Sequence, residues 1–161
     1  MKTWLRWILI ITQVGGGFTG IVIILDYLNN SRDAPMPVVV FSISGIALYA
    51  FVTAAGVLYT LDERKTRALR LALWLQIPWI SSTIIAWRFL VGFSFALTLM
   101  DGEANIVYWL GSYWQFSLFE DLPAGLGVNL FAVLMLYLLG RVRTPEPELK
   151  PSLAVQVNSI L

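Results

Sequence analysis

The stretch TQVGGGFTG, Thr12 to Gly20, places three consecutive glycines in the middle of a long apolar run. Each glycine in a helix interior costs about 1 kcal/mol relative to alanine, so a plain membrane helix has no reason to contain three of them. Helices in a bilayer associate through close contact between their backbones, and small residues mark the contact face. Because Thr12, Gly16 and Gly20 recur every four residues, we predict that they form a packing ridge.

A second apolar run offers a matching surface of small residues, which includes Gly45, Ala50 and Ala54. Small side chains let the two backbones approach closely. The two runs are therefore predicted to pack against each other as a helical hairpin.

An alternative role for the glycines is a hinge that unwinds the first helix, as discontinuous helices do around substrates in transporters. A corresponding interruption occurs in the third apolar run, where Pro78 lacks the amide hydrogen that a helix needs. The residues of this possible pathway or hinge are Gln13, Gly15, Gly16, Gly17, Gln76 and Pro78.

Four long stretches that are nearly free of charge determine the predicted fold class. They cover residues 4–28, 38–61, 69–93 or somewhat further, and 122–140. A helix of about 20 residues crosses the hydrocarbon core of a bilayer, and its backbone polar groups are satisfied within the helix. Since the chain is 58% hydrophobic and only 13% charged, we predict an all-α membrane protein with four transmembrane helices, in a single domain over residues 1–140.

Basic residues lie mainly on one side of this predicted arrangement. Nine of the 11 lysines and arginines lie at the start of the first span, around the connection from the second span to the third, or after the fourth span. Because lysine and arginine stay preferentially on the cytoplasmic side, we predict a multi-pass protein of the cytoplasmic (plasma or inner) membrane with both termini in the cytoplasm. The proline-containing segment 141–161 is predicted to be a mobile cytoplasmic tail.

Arg88 is the charged residue predicted to approach the membrane interior most closely. A charge there costs a few kcal/mol or more unless it has a partner. One hypothesis is an interfacial ion pair with a structural role, and the other is a site for a substrate or an ion. The predicted polar cluster consists of Asp26, Arg88, Glu120, Asp121 and Asn129.

The predicted outer loop, residues 100–121, is acidic and aromatic and has no lysine or arginine. Asp101 and Gly102 predict a turn. The β-favouring segments 105–111 and 113–119 predict a short hairpin, although a segment lying on the membrane surface is an alternative. The aromatic residues predicted to dock a partner protein are Tyr108, Trp109, Tyr113, Trp114 and Phe116.

The residue types that the chain lacks limit its chemistry. There is no cysteine and no histidine, which removes thiol nucleophiles, the commonest general base and the usual zinc and haem ligands. We predict no metal site, no cofactor and no nucleic-acid binding.

The leading functional hypothesis is a non-enzymatic accessory or interaction role, as a subunit, regulator or immunity-type partner. Its expected partners are the lipid bilayer and either a membrane or extracytoplasmic protein or a second copy of the chain. One alternative is a small oligomeric channel or carrier that uses the polar residues of helices 1, 3 and 4. A second alternative is a carboxylate-based enzyme acting on a lipid-linked substrate at the outer face.

Overall fold

Two long helices form a hairpin at the start of the chain, in a computed structural model that describes residues 3–31 and 34–141. The first helix, Thr3–Asn30, consists of α1 (Thr3–Ile10), a π-helical turn (Ile11–Gly15) and α2 (Gly16–Asn30). The second is α3 (Met36–Leu61), which has a proline in its first turn, where a missing amide hydrogen costs nothing. Both helices are long and apolar enough to span a membrane.

Beyond α3 the predicted all-α fold is wrong, because the described chain is mixed α/β. The remaining elements are α4 (Thr66–Leu75), β1 (Pro78–Ser81), β2 (Ile85–Leu90), β3 (Phe93–Met100), β4 (Glu103–Leu110), β5 (Tyr113–Leu118), β6 (Gly125–Asn129) and α5 (Leu130–Arg141). The predicted spans 69–93 and 122–140 are therefore each part short helix and part strand. A two-helix hairpin joined to a sheet replaces the predicted multi-pass bundle of four helices.

Local sequence explains where the predicted third span fails. α4 ends at Leu75, and Pro78, which was predicted to kink a helix, begins β1 instead. A proline disfavours helical conformation in the residue before it and removes a backbone donor. Further on, the β3 segment FSFALTLM alternates large apolar residues with small or polar ones, which is the two-residue period of a strand.

The six strands form one antiparallel sheet with the order β4-β3-β6-β1-β2-β5. The connections at residues 91–92 and 111–112 each join strands that are not neighbours in this order. Such short connections require the sheet to curl until its edge strands approach each other, and the Gly111 N–H donates to the Gly92 carbonyl at 2.7 Å where the two connections meet. The predicted hairpin between 105–111 and 113–119 is therefore wrong in its pairing, because β4 pairs with β3 and β5 pairs with β2.

The strand register divides the curled sheet into two chemically different faces. We call the convex side the apolar face; its residues are Pro78, Ile80, Ile85, Trp87, Phe89, Phe93, Phe95, Leu97, Leu99, Ala104, Ile106, Tyr108, Leu110, Trp114, Phe116, Leu118, Leu126 and Val128. The opposite side, the inner face, carries the intervening residues, among them Arg88, Ser94, Thr98, Gln115, Ser117 and Asn129.

The sheet lies beside the half of the hairpin that contains its turn. Midway along α3, the Tyr49 hydroxyl donates to the Leu90 carbonyl at 3.2 Å. Nearer the start of α3, the rings of Phe41 and Phe116 meet edge to face with centroids 4.8 Å apart. Strands β2 and β5 therefore lie alongside the hairpin between its middle and its turn. The helices cover the part of the apolar face that these two strands contribute.

Two hydrophobic cores hold these parts together. One consists of α1, the end of α3, α4 and α5, and its buried residues are Leu5, Leu9, Tyr59, Leu69, Leu73, Met135 and Leu139. The other joins α2 and α3 to the sheet, and its buried residues are Ile24, Tyr49, Val52, Ala55, Ala72, Phe89 and Val91. The four-helix arrangement thus exists only at one end of the molecule. The predicted tail lies outside the described residues apart from Arg141, the last residue of α5.

Candidate functional site

The glycine stretch remains helical and forms the contact point between the hairpin and the sheet. A Cβ on Gly16 would lie 2.4 Å from the Gly92 amide nitrogen, in the connection between β2 and β3. A Cβ on Gly17 would meet Thr53, and one on Gly20 would meet the ring of Tyr49, both on α3. The Ser112 hydroxyl donates to the Gly16 carbonyl and holds the second connection at the same place.

The predicted packing ridge is thus only partly a helix–helix contact. Gly45 approaches Ile24 and Trp114, so it contacts both α2 and the sheet. Ala50 and Ala54 are exposed and lie outside this contact. Thr12 faces the backbone of Gly92, and Gly15 has no atom within 4 Å of the position a Cβ would take.

Two glutamines of the predicted pathway form a buried pair just before the glycines. Gln13 lies in the π-helical turn and is 0% exposed, and Gln76 follows α4 and is 1% exposed. The Gln76 Nε2 donates to Gln13 Oε1 at 2.9 Å and to the Ala72 carbonyl at 2.8 Å, whereas the Gln13 Nε2 is buried without a partner. A π-helical turn inserts an extra residue, and here it coincides with the buried position of Gln13. The pair joins α4 to the first helix.

Arg88 lies on the inner face of the sheet, apart from the carboxylates predicted to pair with it. Its guanidinium carbon is 3.2 Å from the centroid of the Trp79 ring and 5.1 Å from that of Tyr113. Among the described residues no carboxylate lies within 4 Å of the guanidinium, where an ion pair would place one. Burial lowers the pKa of Arg88, but an arginine remains protonated in proteins.

Stacking stabilises the half-buried guanidinium of Arg88 in this position. A cation–π contact contributes about 0.5–2 kcal/mol. The Arg88 Nε is buried with no hydrogen-bond partner, while its terminal nitrogens remain accessible. The guanidinium therefore has unused hydrogen-bonding capacity inside the curled sheet.

Polar side chains of β5 lie on the same inner face as Arg88. Gln115 lies directly opposite Arg88 in the β2–β5 register. The Tyr113 hydroxyl donates to Gln115 Oε1 at 3.4 Å, which leaves the Gln115 amide nitrogen to donate elsewhere. Ser117, two residues along the same face, is 8% exposed, and its Oγ is buried without a partner.

The other members of the predicted polar cluster do not join Arg88. Asp26 is exposed on α2 and accepts a hydrogen bond from Asn30 at 3.2 Å. Glu120 and Asp121 are exposed after the end of β5. Across the described residues no group of three or more acidic side chains is placed to hold a metal ion.

Asn129 is buried and caps α5. Its Oδ1 accepts hydrogen bonds from the backbone N–H groups of Phe131 at 3.2 Å and Ala132 at 3.4 Å, and its Nδ2 has no partner. An asparagine at this position stabilises a helix through such bonds.

We expect Asn129→Ala to lower the free energy of unfolding by about 1 kcal/mol, because the cap is lost. Asn129→Ser, which can still accept these hydrogen bonds, should stay closer to the wild type. Thermal unfolding followed by circular dichroism measures both. Equal losses in the two variants would contradict a capping role.

The aromatic residues of the predicted docking loop divide into three groups. Trp114 donates from its Nε1 to the Phe41 carbonyl at 3.2 Å, and Phe116 packs on Phe41, so both serve the helix–sheet contact. Tyr113 points to the inner face near Arg88. Only Tyr108 and Trp109, on β4, are exposed, at 78% and 45%.

Strand β4 is an edge strand, and most of its length is uncovered. Its turn from β3 has positive φ angles at Asp101 (50°) and Gly102 (86°), as in a type I′ turn, which agrees with the turn predicted there. The residues that close a two-residue turn, Met100 and Glu103, exchange both backbone bonds. Backbone amides alternate in direction along an antiparallel strand, so every second amide of β4 points away from β3. These are the amides of Ala104, Ile106, Tyr108 and Leu110.

A cleft of about 280 Å³ lies between α2, α3 and the start of β5. Its lining is mostly apolar, with Ser42 and Ser112 as its small polar side chains. The donors of Arg88, Gln115 and Ser117 do not line this cleft.

Comparisons with protein-family models, with curated proteins and with solved structures gave no significant match. We describe the class of protein by its structure. It is a helical hairpin of membrane-spanning length that carries a curled antiparallel sheet with an apolar convex face and a polar inner face.

Proposed function

We propose that this protein is a non-enzymatic interaction protein of the cytoplasmic membrane that pairs with a second copy of itself along β4. Both long helices cross the bilayer in this proposal, and the sheet lies beside their outer halves. The single observation that carries it is the edge strand β4, which is eight residues long, exposed and mostly apolar.

Charge distribution supports this orientation. The end of the molecule where Arg6 bonds Glu63 at 3.1 Å also contains the basic residues of α4 and Arg141. Acidic side chains such as Asp101 and Asp121 lie in the connections at the far end of the sheet. Since basic residues favour the cytoplasmic side, we propose that both ends of the described chain lie in the cytoplasm.

The uncovered part of the apolar face supports a membrane setting for the sheet. Strands β3, β4 and β6 expose large apolar side chains that no helix covers: Phe95, Leu97, Leu99, Ile106, Tyr108, Leu110, Leu126 and Val128. Their strands run beside helices of membrane-spanning length. In this proposal these side chains face lipid.

An unpaired strand edge is costly in that setting. Backbone N–H and C=O groups in hydrocarbon have no water to bond, so open sheet edges do not persist there. In soluble sheets, lysine, proline or a bulge protects an exposed edge, and β4 has no lysine or proline. A second polypeptide strand would satisfy the outward amides of β4 by main-chain bonding.

A second copy is the partner that fits β4 best. Two-fold symmetry is the commonest arrangement of oligomers and brings the same strand of each copy together. An antiparallel β4–β4 pair centred on Val107 sets outward amides opposite each other, with Ile106 facing Tyr108. It places no like charges opposite each other, because Glu103 then faces Gly111.

The absence of cysteine from the chain allows a direct test by single-cysteine cross-linking. We expect disulfide-linked dimers in native membranes for a cysteine at position 107, which faces its own copy across the pair, and fewer towards the ends of β4, because a disulfide needs Cα atoms about 4.4–6.8 Å apart. Leu99→Cys, on the neighbouring strand and 52% exposed, is the control and should remain monomeric.

Proline substitution tests whether the backbone carries the pairing. Ile106→Pro removes an outward amide and should abolish the cross-link of a cysteine at position 107, whereas Ile106→Val, which keeps that amide, should preserve it. A wild-type protein that is monomeric in native membranes, with no cross-link at any β4 position, would overturn the proposal. A cross-link from β4 to a different protein would retain the interaction role and reject self-pairing.

A further inference from the structure

The inner face of the curled sheet concentrates hydrogen-bond donors around one positive charge. Arg88 is the basic residue of this face, and its Nε is buried without a partner. The Ser117 Oγ, on the adjacent strand, is also buried without a partner. The acidic residue of the inner face, Glu103, lies at the start of β4 beside the β3–β4 turn, and it forms no ion pair with Arg88.

The position of the guanidinium is set before any ligand arrives. Trp79 stacks on it at 3.2 Å, and Trp79 itself is buried. Gly127 makes this possible, because a Cβ there would lie 3.2 Å from the Trp79 Cβ and 2.8 Å from the Thr98 side chain. A donor held in place in advance loses little freedom on binding.

The donors have a complementary partner class. The guanidinium is a planar fork that matches the oxygens of carboxylate and phosphate groups. Gln115, opposite Arg88, has a free amide nitrogen because Tyr113 donates to its oxygen. Gln115 is thus the cross-strand neighbour of Arg88, and Ser117 is the next residue of β5 on the same face. No carboxylate from the described chain lies within 4 Å of Arg88.

We propose that the inner face of the curled sheet binds an oxyanion, a carboxylate or phosphate group, through Arg88, Gln115 and Ser117. This site is independent of strand pairing along β4, and it is a binding site for which no reaction is implied. The oxyanion could come from a dissolved ion or from the headgroup of an anionic lipid, and the test distinguishes the two sources.

The experiment measures the thermal stability of the full-length protein in detergent during titration with sodium phosphate or sodium acetate, at ionic strength held constant with sodium chloride. A ligand that binds the folded state raises the unfolding temperature saturably. A parallel series adds phosphatidylglycerol or phosphatidylcholine to the detergent. We expect a saturable rise with phosphate or acetate, or with phosphatidylglycerol only; the second result would identify the lipid headgroup as the source.

Arg141→Gln is the matched control, because Arg141 also lies over an aromatic ring, Tyr137, at 4.7 Å. We expect Arg88→Gln to weaken binding about tenfold to hundredfold, the value of hydrogen bonds to a charged group, and Arg141→Gln to leave it unchanged. If Arg88→Gln does not fold, the anion binding of Ser117→Ala and of Arg88→Lys is compared with that of the wild type instead. Absence of a saturable rise with any of these anions, or equal rises in the wild type and the Arg88 variants, would overturn the proposal.

Discussion

Replacing Gly16 with alanine should lower the free energy of unfolding by roughly 1–3 kcal/mol, the usual cost of forcing extra volume into a packed contact. The added Cβ would lie 2.4 Å from the amide nitrogen and 2.7 Å from the Cα of Gly92. Both are backbone atoms, so relief requires the connection between β2 and β3 to move. Gly92 cannot easily adapt, because its φ is +74° and its own contact is with the backbone of Thr12.

Gly15→Ala is the matched control for this prediction. It lies one residue away in the same helix, and no atom lies within 4 Å of its Cβ position. It should raise the free energy of unfolding by about 0.5–1 kcal/mol through the better helix propensity of alanine. Thermal unfolding of the purified protein in detergent measures both changes. If the two substitutions had the same sign, the close approach of Gly16 to the sheet would be contradicted.

Gln76→Leu should cost about 1–3 kcal/mol of unfolding free energy, because it leaves the buried Gln13 amide with no partner. Replacing the other glutamine of the pair, Gln13, should cost less unfolding free energy. Gln13→Leu removes a nitrogen that already lacks a partner, and it leaves Gln76 bonded to the Ala72 carbonyl at 2.8 Å.

A double-mutant cycle tests the coupling of this pair. When both partners of a buried bond become apolar, the cost can nearly vanish. The double variant Gln13→Leu with Gln76→Leu should therefore be more stable than Gln76→Leu alone. Urea or thermal unfolding of the four proteins provides the coupling energy, and additive losses would show that the two amides do not depend on each other.

Two residues of the proposed oxyanion site that the sequence interpretation missed, Gln115 and Ser117, have a visible signal in the strand pattern. In β3 the pattern FSFALTLM alternates between two faces, and in β2 the pattern IAWRFL places Arg88 out of phase with Trp87 and Phe89. Reading these segments as helix because they are long and apolar hid that alternation. Gln115 and Ser117 follow the same period on β5, and that period alone would have placed them on one face.

The sequence by itself determined the two long apolar helices, the turn at Asp101–Gly102 and the strands that contain residues 105–110 and 113–118. These features depend on local patterns: apolar length, residues that accept positive φ, and β-favouring composition. Periodicity within a segment encodes such elements because neighbouring residues alone decide them.

Only the tertiary structure decided which strands pair and what the unusual residues contact. β4 and β5 are adjacent in the chain yet pair with β3 and β2. Gly16 meets Gly92, Gln13 meets Gln76, and Arg88 stacks on Trp79 away from every predicted carboxylate. Such contacts join distant segments, and they are selected by which apolar faces are buried together, a property of the whole fold and not of any local pattern.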